Sequence, residues 1–296
     1  MDFSKIKVAL IGDIIIDEYK QGIAERLSPE CPVPVVLLKE STKTLGGAGN
    51  VAFNLADLGA SVELYGVIGC DRFGGVVLEL LGTKNISFMG LHEKGKPTIV
   101  KTRILANNHQ LLRVDREDKF TLDVNKKVCF DNIQGILISD YAKGTINGNI
   151  KQVIEKANTL NIPIFIDPKE KKINLYKNAT VIKLNHKEAF NITGIKNEIL
   201  AAKKLLKQLS AKNVIITCGD RGIFVTGEAE GFVDAENKSK FVDVSGAGDT
   251  VLATLALSYI SGLTILDSIK LANRAAGIVV SKRGTVTCSH KELFGI

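Results

Sequence analysis

The densest chemistry in the chain lies in Asp243-Val244-Ser245-Gly246-Ala247-Gly248-Asp249-Thr250, which runs at once into an apolar stretch of helical period, Val251–Ile260. Two glycines at a helix start let backbone N–H groups close on an anion, and the helix dipole adds attraction. Gly246, Ala247 and Gly248 can therefore form an anion hole. An acid beside it, as Asp249 is, can take the proton of a hydroxyl attacking a phosphoryl group bound there. The alternative is an ordinary helix N-terminus capped by Ser245 or Asp249.

A second glycine cluster, Gly46-Gly47-Ala48-Gly49-Asn50, opens an earlier helical segment. Gly47 offers close backbone approach to a ligand, and the Asn50 amide can bond sugar hydroxyls; a tight strand-to-helix turn is the alternative. Asp13 and Asp17 follow the first apolar strand, two carboxylates at the carboxyl edge of a sheet. They accept hydrogen bonds from hydroxyls without adding bulk, which suits sugar recognition; capping or surface roles compete with it. Other phosphate-binding signatures are missing. There is no G-x-x-x-x-G-K-[ST] loop, no G-x-G-x-x-G after a strand and no protein-kinase motif set.

These residues need a scaffold, and the composition supplies one. With 296 residues and 45% apolar content, the chain can bury roughly three quarters of its unfolded surface in one core. No linker, low-complexity tract or fixed-period repeat divides it, so residues 1–296 read as a single domain. Five scattered cysteines without a C-x-x-C pair suit neither a disulfide framework nor a zinc site and point to a reducing cytoplasm. No apolar run reaches membrane-spanning length. The net charge of +7 fits nucleic acid, an anionic surface or small phosphorylated ligands, and charge alone does not choose among them. The densest basic cluster, Lys169-Glu170-Lys171-Lys172, carries an acid and no interleaved aromatics, so nucleic acid is not an expected partner.

Apolar β-branched runs at Val8–Ile11, Val62–Ile68, Gly135–Ile138, Ile164–Ile166, Val181–Leu184 and Val214–Thr217 alternate with helical periods at Ala48–Leu58, Gly74–Leu81, Asn149–Leu160 and Ile199–Leu209. That alternation predicts an α/β fold with a doubly wound, mainly parallel sheet flanked by helices. A meander at Ile223–Thr226 and Gly231–Val233 and two long helices, about 247–260 and 266–281, complete it. Val33–Leu38, Ile99–Leu105 and Gln110–Val114 read as β structure outside the alternation, predicting a small β lid from segments near 14–40 and 86–116. Such a lid beside the carboxyl ends of the strands would exclude water from a phosphoryl transfer.

At this point the residues match a family. Gly46–Gly47 with Asn50, Asp167-Pro168-Lys169, Asn185-x-x-Glu188, Thr217-x-Gly219 and Gly246-Ala247-Gly248-Asp249 occur in the order seen in ribokinase-like (PfkB) carbohydrate kinases, and the resemblance spans essentially the whole chain. Gly12-Asp13 with Asp17, Leu27 to Val35, Lys101-Thr102-Arg103, Gln110 to Asp115 and Ser139 to Gly144 resemble the branch acting on D-glycero-β-D-manno-heptose 7-phosphate. Cys31 stands where that branch usually has alanine, and Phe53 where arginine is common.

The resemblance implies transfer of the γ-phosphate of ATP to the anomeric hydroxyl of the heptose 7-phosphate, giving the 1,7-bisphosphate used for ADP-heptose and lipopolysaccharide. Asp249 would be the base and Asp17 and Asn50 would bind the sugar. Asn185 and Glu188 would organise Mg²⁺ through water. Thr217 and Gly219 would meet nucleotide phosphates together with Lys169, and Asn273 would lie near the adenine. Lys101, Arg103 and Lys143 are the cations for the substrate's own phosphate, Arg103 first. A monovalent cation (K⁺) near Asp243, a homodimer through the lid and a natural fusion to an adenylyltransferase domain are further expectations. The alternatives are a kinase of fructose, ribose or a nucleoside, or a catalytically inactive nucleotide-binding regulator.

Overall fold

The strands form where the chain is apolar on both faces. Gly135–Ser139 is buried along its whole length, as a parallel strand covered by helices on both sides must be. The computed structural model describes residues 1–107, 109–236 and 243–295. In chain order the elements are β1 (Lys7–Gly12), β2 (Ile14–Leu27), β3 (Pro34–Gly47), α1 (Ala48–Asp57), β4 (Ser61–Tyr65), β5 (Val67–Gly69), α2 (Arg72–Leu81), β6 (Ile86–Phe88), β7 (Leu91–Glu93), β8 (Ile99–Ala106) and β9 (His109–Arg116). Then come β10 (Gly135–Ser139), α3 (Ile150–Thr159), β11 (Ile164–Asp167), β12 (Val181–Asn185), α4 (His186–Thr193), α5 (Glu198–Leu209), β13 (Asn213–Thr217), β14 (Gly222–Thr226), β15 (Gly231–Asp234), α6 (Ala247–Ile260), α7 (Ile265–Val280) and α8 (His290–Phe294).

The main sheet has the order β15-β14-β13-β12-β11-β10-β1-β4-β6, parallel from β6 through β13 and antiparallel at β14 and β15. Chain order reverses at β1, which has β4 on one side and β10 on the other. The carboxyl ends of strands at such a switch point form the crevice in which open α/β sheets bind ligands. One core face packs α1, α2, α6, α7 and α8; the opposite face packs α3, α4 and α5. Helix α6 is buried from Asp249 to Ser258, because α1 and α7 flank it on the sheet and its sequence is apolar all round.

The lid is a separate four-stranded sheet, β3-β2-β8-β9. Its central pair, β2 and β8, is parallel and sets Asp17 opposite Lys101 and Tyr19 opposite Arg103. Two expectations need correction. The lid is built from residues 14–47 and 99–116, whereas β6 extends the main sheet and β7 pairs with β5; the edge of β4 takes the nearest available strand as partner. The predicted strand Val62–Ile68 divides at Gly66, β4 joining the main sheet and β5 the two-stranded one. Helix α4 was not foreseen. Its signal was Asn185-x-x-Glu188, a capping box in which Asn185 Oδ1 accepts from Glu188 N at 2.8 Å and Glu188 Oε2 from Asn185 N at 3.0 Å.

Candidate active site

Asp249 sits in the first turn of α6, 4% exposed. The Asn50 amide donates to its Oδ2 at 2.8 Å and the Tyr141 hydroxyl to its Oδ1 at 3.1 Å. Asn50 is itself held. Asn54 donates from Nδ2 to the Asn50 carbonyl at 2.9 Å and accepts from Thr250 Oγ1 at 2.9 Å. Packing α1 against α6 thus brings the two glycine-rich turns into one network. Burial raises the Asp249 pKa to about 6, with the Asn50 bond opposing it and Asp167 nearby reinforcing it. That places a proton acceptor near neutral pH, where a general base works best.

The helix start is open to an anion. Gly246 is the N-cap, at φ +80°, a left-handed conformation that suits glycine; neither Ser245 nor Asp249 caps the helix. The Ala247 N–H is taken by the Val244 carbonyl at 3.3 Å, so the amides of Gly248 and Asp249 are the ones left for a ligand. The Gly248 backbone is helical, and a Cβ there would lie 3.2 Å from Lys183 Nζ.

Lys183 was missed in the sequence. It interrupts the apolar strand β12, is 4% exposed and pairs with Asp167 Oδ2 at 2.8 Å. A lone lysine inside Val-Ile-Lys-Leu was the available signal. Burial works to lower its pKa, but Asp167, Glu188 and Asp249 together raise it, so Lys183 stays protonated. Asp167 is pushed up by burial against the pull of Lys183. Lys169 pairs with Glu188 Oε1 at 2.9 Å.

Asp167, Lys169, Lys183, Asn185, Glu188, Thr217, Gly219, Gly246, Ala247, Gly248, Asp249, Asn273 and Tyr141 all line one cavity of about 700 Å³. They come from the carboxyl ends of β10 to β13, from the first turn of α4 and from α6 and α7. Asn273 anchors the far wall by donating from Nδ2 to the Asp234 carbonyl at 2.7 Å. The cavity therefore joins most of the residues expected to hold a nucleotide.

The residues expected to bind the acceptor lie outside that lining. Asp17 contacts the Arg103 guanidinium, which also lies over the Tyr19 ring, 5.3 Å from its centroid. Gly46 leaves room for Asp17; a Cβ there would fall 2.2 Å from its Oδ2. Lys101, on the same lid face, stands 5.7 Å from the centre of the Tyr141 ring, and burial lowers its pKa. Lys143 pairs with Glu117 at 2.6 Å. Gly47 is the N-cap of α1, and its carbonyl-side neighbour Ala48 donates to the Asp13 carbonyl at 2.9 Å.

Asp13 is placed otherwise than its motif suggests. Its carboxylate is fully buried and accepts the N–H groups of Tyr141 at 2.8 Å, Lys143 at 3.0 Å and Thr145 at 3.0 Å. Burial pushes its pKa up against these bonds. The side chain shapes the loop after β10. Phe53 packs against the core on α1, with Lys84 Nζ 5.9 Å from its ring centre.

For Mg²⁺, both Glu188 oxygens and the Asn185 carbonyl oxygen already accept bonds, and among the described residues no group of three or more His, Cys, Asp or Glu is placed to hold a metal. The donor set fits a hydrated ion carried on nucleotide phosphates, contacted through water. Near Asp243, Ser245 N and Gly284 N donate to its two oxygens at 2.9 and 3.0 Å. Among the described residues no helix is long and apolar enough to cross a membrane.

The profile of the pfkB family carbohydrate kinases matches residues 5–292. The bifunctional protein HldE of Hydrogenovibrio crunogenus is 38% identical over 99% of this chain and 63% of its own length; that of Desulfatibacillum aliphaticivorans is 40% identical over 98% and 63%. The chain thus spans less than two thirds of these relatives. Among solved structures, Arabidopsis thaliana ribokinase complexed with ribose and ATP superposes with a TM-score of 0.77 at 20% identity over 100% of this chain and 98% of that one. Escherichia coli phosphofructokinase-2 in complex with fructose-6-phosphate gives 0.78 at 18% over 98% and 97%. These two likenesses concern the fold.

Proposed function

We propose that this chain, which belongs to the pfkB family of carbohydrate kinases, transfers the γ-phosphate of ATP to the anomeric hydroxyl of D-glycero-β-D-manno-heptose 7-phosphate. The observation that carries this reading is the position of Asp249. It lies in the first turn of α6, beside the open helix start, and lines the cavity together with Lys169, Lys183, Thr217 and Asn273, while Asn50 and Tyr141 donate to its two oxygens. ATP occupies the cavity. Its phosphates face Lys183, Lys169 and the α6 amides, which take up charge as it moves to the leaving oxygen. The acceptor sugar lies under the lid on Asp17 and Asn50, and Asp249 removes its hydroxyl proton as the bond to phosphorus forms.

Arg103 fixes Asp17 and, with Lys101, meets the substrate's phosphate; a guanidinium can serve two oxygens at once. Asn185 and Glu188 would hold a Mg²⁺ ion through water, and the ion would supply charge neutralisation for the transferring phosphate. A monovalent cation such as K⁺ beside Asp243 belongs to the same reading. Identity to HldE relatives of 36 to 40% over nearly the whole chain supports the heptose substrate, as does the cationic lid face. The setting is cytoplasmic, where ATP is made, and a fusion or association with an adenylyltransferase domain would use the product.

The lid also fits a second copy of this chain. Ile23, Leu27, Leu37 and Leu38 on β2 and β3 and Leu111, Leu112 and Val114 on β9 are exposed, and apolar surface of that kind on open strands is usually covered by a partner. Light scattering should give a dimer that Leu112→Lys weakens.

A coupled ADP-release screen over fructose, ribose, nucleosides, heptose and heptose 7-phosphate tests the function. Heptose 7-phosphate should be turned over far faster than the free sugars, with ³¹P NMR showing a new anomeric phosphate. Preference for an unphosphorylated sugar would overturn the substrate, and absence of turnover with all of them would overturn the kinase.

A further inference from the structure

We propose that Tyr141 is a positioning residue for the transfer: its hydroxyl and the Asn50 amide clamp the two oxygens of Asp249 so that a fixed lone pair meets the attacking hydroxyl. This rests on the reading of Asp249 as base and adds how that base is aimed. A carboxyl group held by one oxygen still turns about its last torsion, which has broad wells. Here the donors reach different oxygens from different elements, Asn50 from α1 and Tyr141 from the loop after β10, and rotation is blocked.

Tyr141 is itself held at three points. Its N–H donates to Asp13 Oδ2 at 2.8 Å. The next residue, Ala142, adopts φ +59° and donates to Asp140 Oδ1 at 2.7 Å; a left-handed alanine persists only where its surroundings impose it. Two ammonium groups stand near the ring, Lys101 of the lid at 5.7 Å and Lys169 of the loop after β11 at 5.3 Å from its centre. Cation–π attraction holds it there. The lid and the nucleotide side thus both touch the residue that aims the base. This accounts for Asp13 as well: its buried carboxylate, which is not part of the lining of the cavity of about 700 Å³, holds the backbone of the positioning loop.

The charged groups around the pair are Asp167 and Lys183 of β11 and β12 facing Asp249, and Asp167, Asp17, Lys101 and Lys169 facing Tyr141. Within that field the phenol is a donor to the ionised carboxylate, so it opposes the upward push of burial.

Tyr141→Phe tests this, because it keeps the ring, both lysine contacts and the N–H to Asp13. We expect kcat to fall by about 10- to 100-fold, the scale for a misplaced reacting group, with KM for ATP and sugar phosphate within about twofold. The acid limb of kcat should move up by about one pH unit, the scale of one charge-assisted bond. In an Asp249→Asn background the same change should add no further loss, since it acts through that carboxylate. Replacing Tyr141 with 3-fluorotyrosine, a stronger donor, should move the limb down. Titration of Asp249 by ¹³C NMR in the sugar-free protein should shift the same ways. If that titration and kcat are unchanged in folded Tyr141→Phe, or if the loss persists in Asp249→Asn, Tyr141 does not position the base. Absence of sugar-phosphate turnover with an intact NMR response would instead overturn the proposed activity and leave the clamp standing.

Discussion

The rim of the main sheet and the lid handle charge in different ways. At the rim, Asp167, Lys183, Glu188 and Asp249 are all at most partly exposed, and each has a fixed partner: Asp167 and Lys183 each other, Glu188 the Lys169 ammonium, Asp249 the Asn50 amide and the Tyr141 hydroxyl. On the lid, β9 is exposed along its whole length, and cations such as Arg113 and Arg116 pair in half-solvated contacts. Buried charges hold a geometry because leaving them unpaired is costly; exposed pairs contribute little and can exchange partners. Under the proposed function the difference amounts to a division of labour, in which the rim would govern the chemical step and the lid which acceptor is held.

The largest effect expected from this contrast belongs to Asp249→Asn, which should lower kcat by about 10² to 10⁴ while ATP binding persists. A buried acid with a raised pKa also opposes folding above that pKa. The folded state keeps a proton that the unfolded state has released, so its contribution to stability falls as pH rises from the ordinary carboxylate range toward about 6. Asp249→Asn should therefore melt no lower than the parent at pH 8. Near-normal turnover would remove the rim's catalytic half of the comparison.

Lys183→Met comes next. It strands Asp167 without its cation, which should cost roughly 3–5 kcal/mol of stability, and adding Asp167→Leu should restore most of it by removing the remaining charge. Equal melting of Lys183→Met and the parent would mean that the rim pair tolerates exchange as a lid pair does.

Arg103→Ala sharpens the lid side. Loss of charge-assisted bonds of about 1.5–3 kcal/mol should raise KM for heptose 7-phosphate by about tenfold or more and leave KM for ATP unchanged. A fall in kcat with both KM values intact would move Arg103 to the rim's function. The smallest expected effect is that of pH on the parent enzyme. Its kcat/KM should fall about tenfold per unit below pH about 6 as Asp249 gains its proton, and a flat profile down to pH 4.5 would assign the base elsewhere.

Much of this was legible along the chain, because it depends on neighbours in sequence. The apolar runs that became β1 and β10 to β13, the helical periods of α1, α2, α3 and α5, and the glycine turns before α1 and α6 are local patterns. The Gly46–Asn50 and Gly246–Asp249 turns announced their chemistry for the same reason. One motif serves two ends: Asn185-x-x-Glu188 is a helix cap as well as part of the cavity wall. What only the tertiary structure decided are pairings between distant segments. The parallel register of β2 with β8 sets Arg103 on Asp17. The chain reversal at β1 turns Asp13 inward onto the loop after β10. The packing of α6 against α1 and that loop brings Asn50 and Tyr141 to Asp249. Such contacts carry no sequence period, because they arise from strand register and helix packing, which are decided only when the whole core closes.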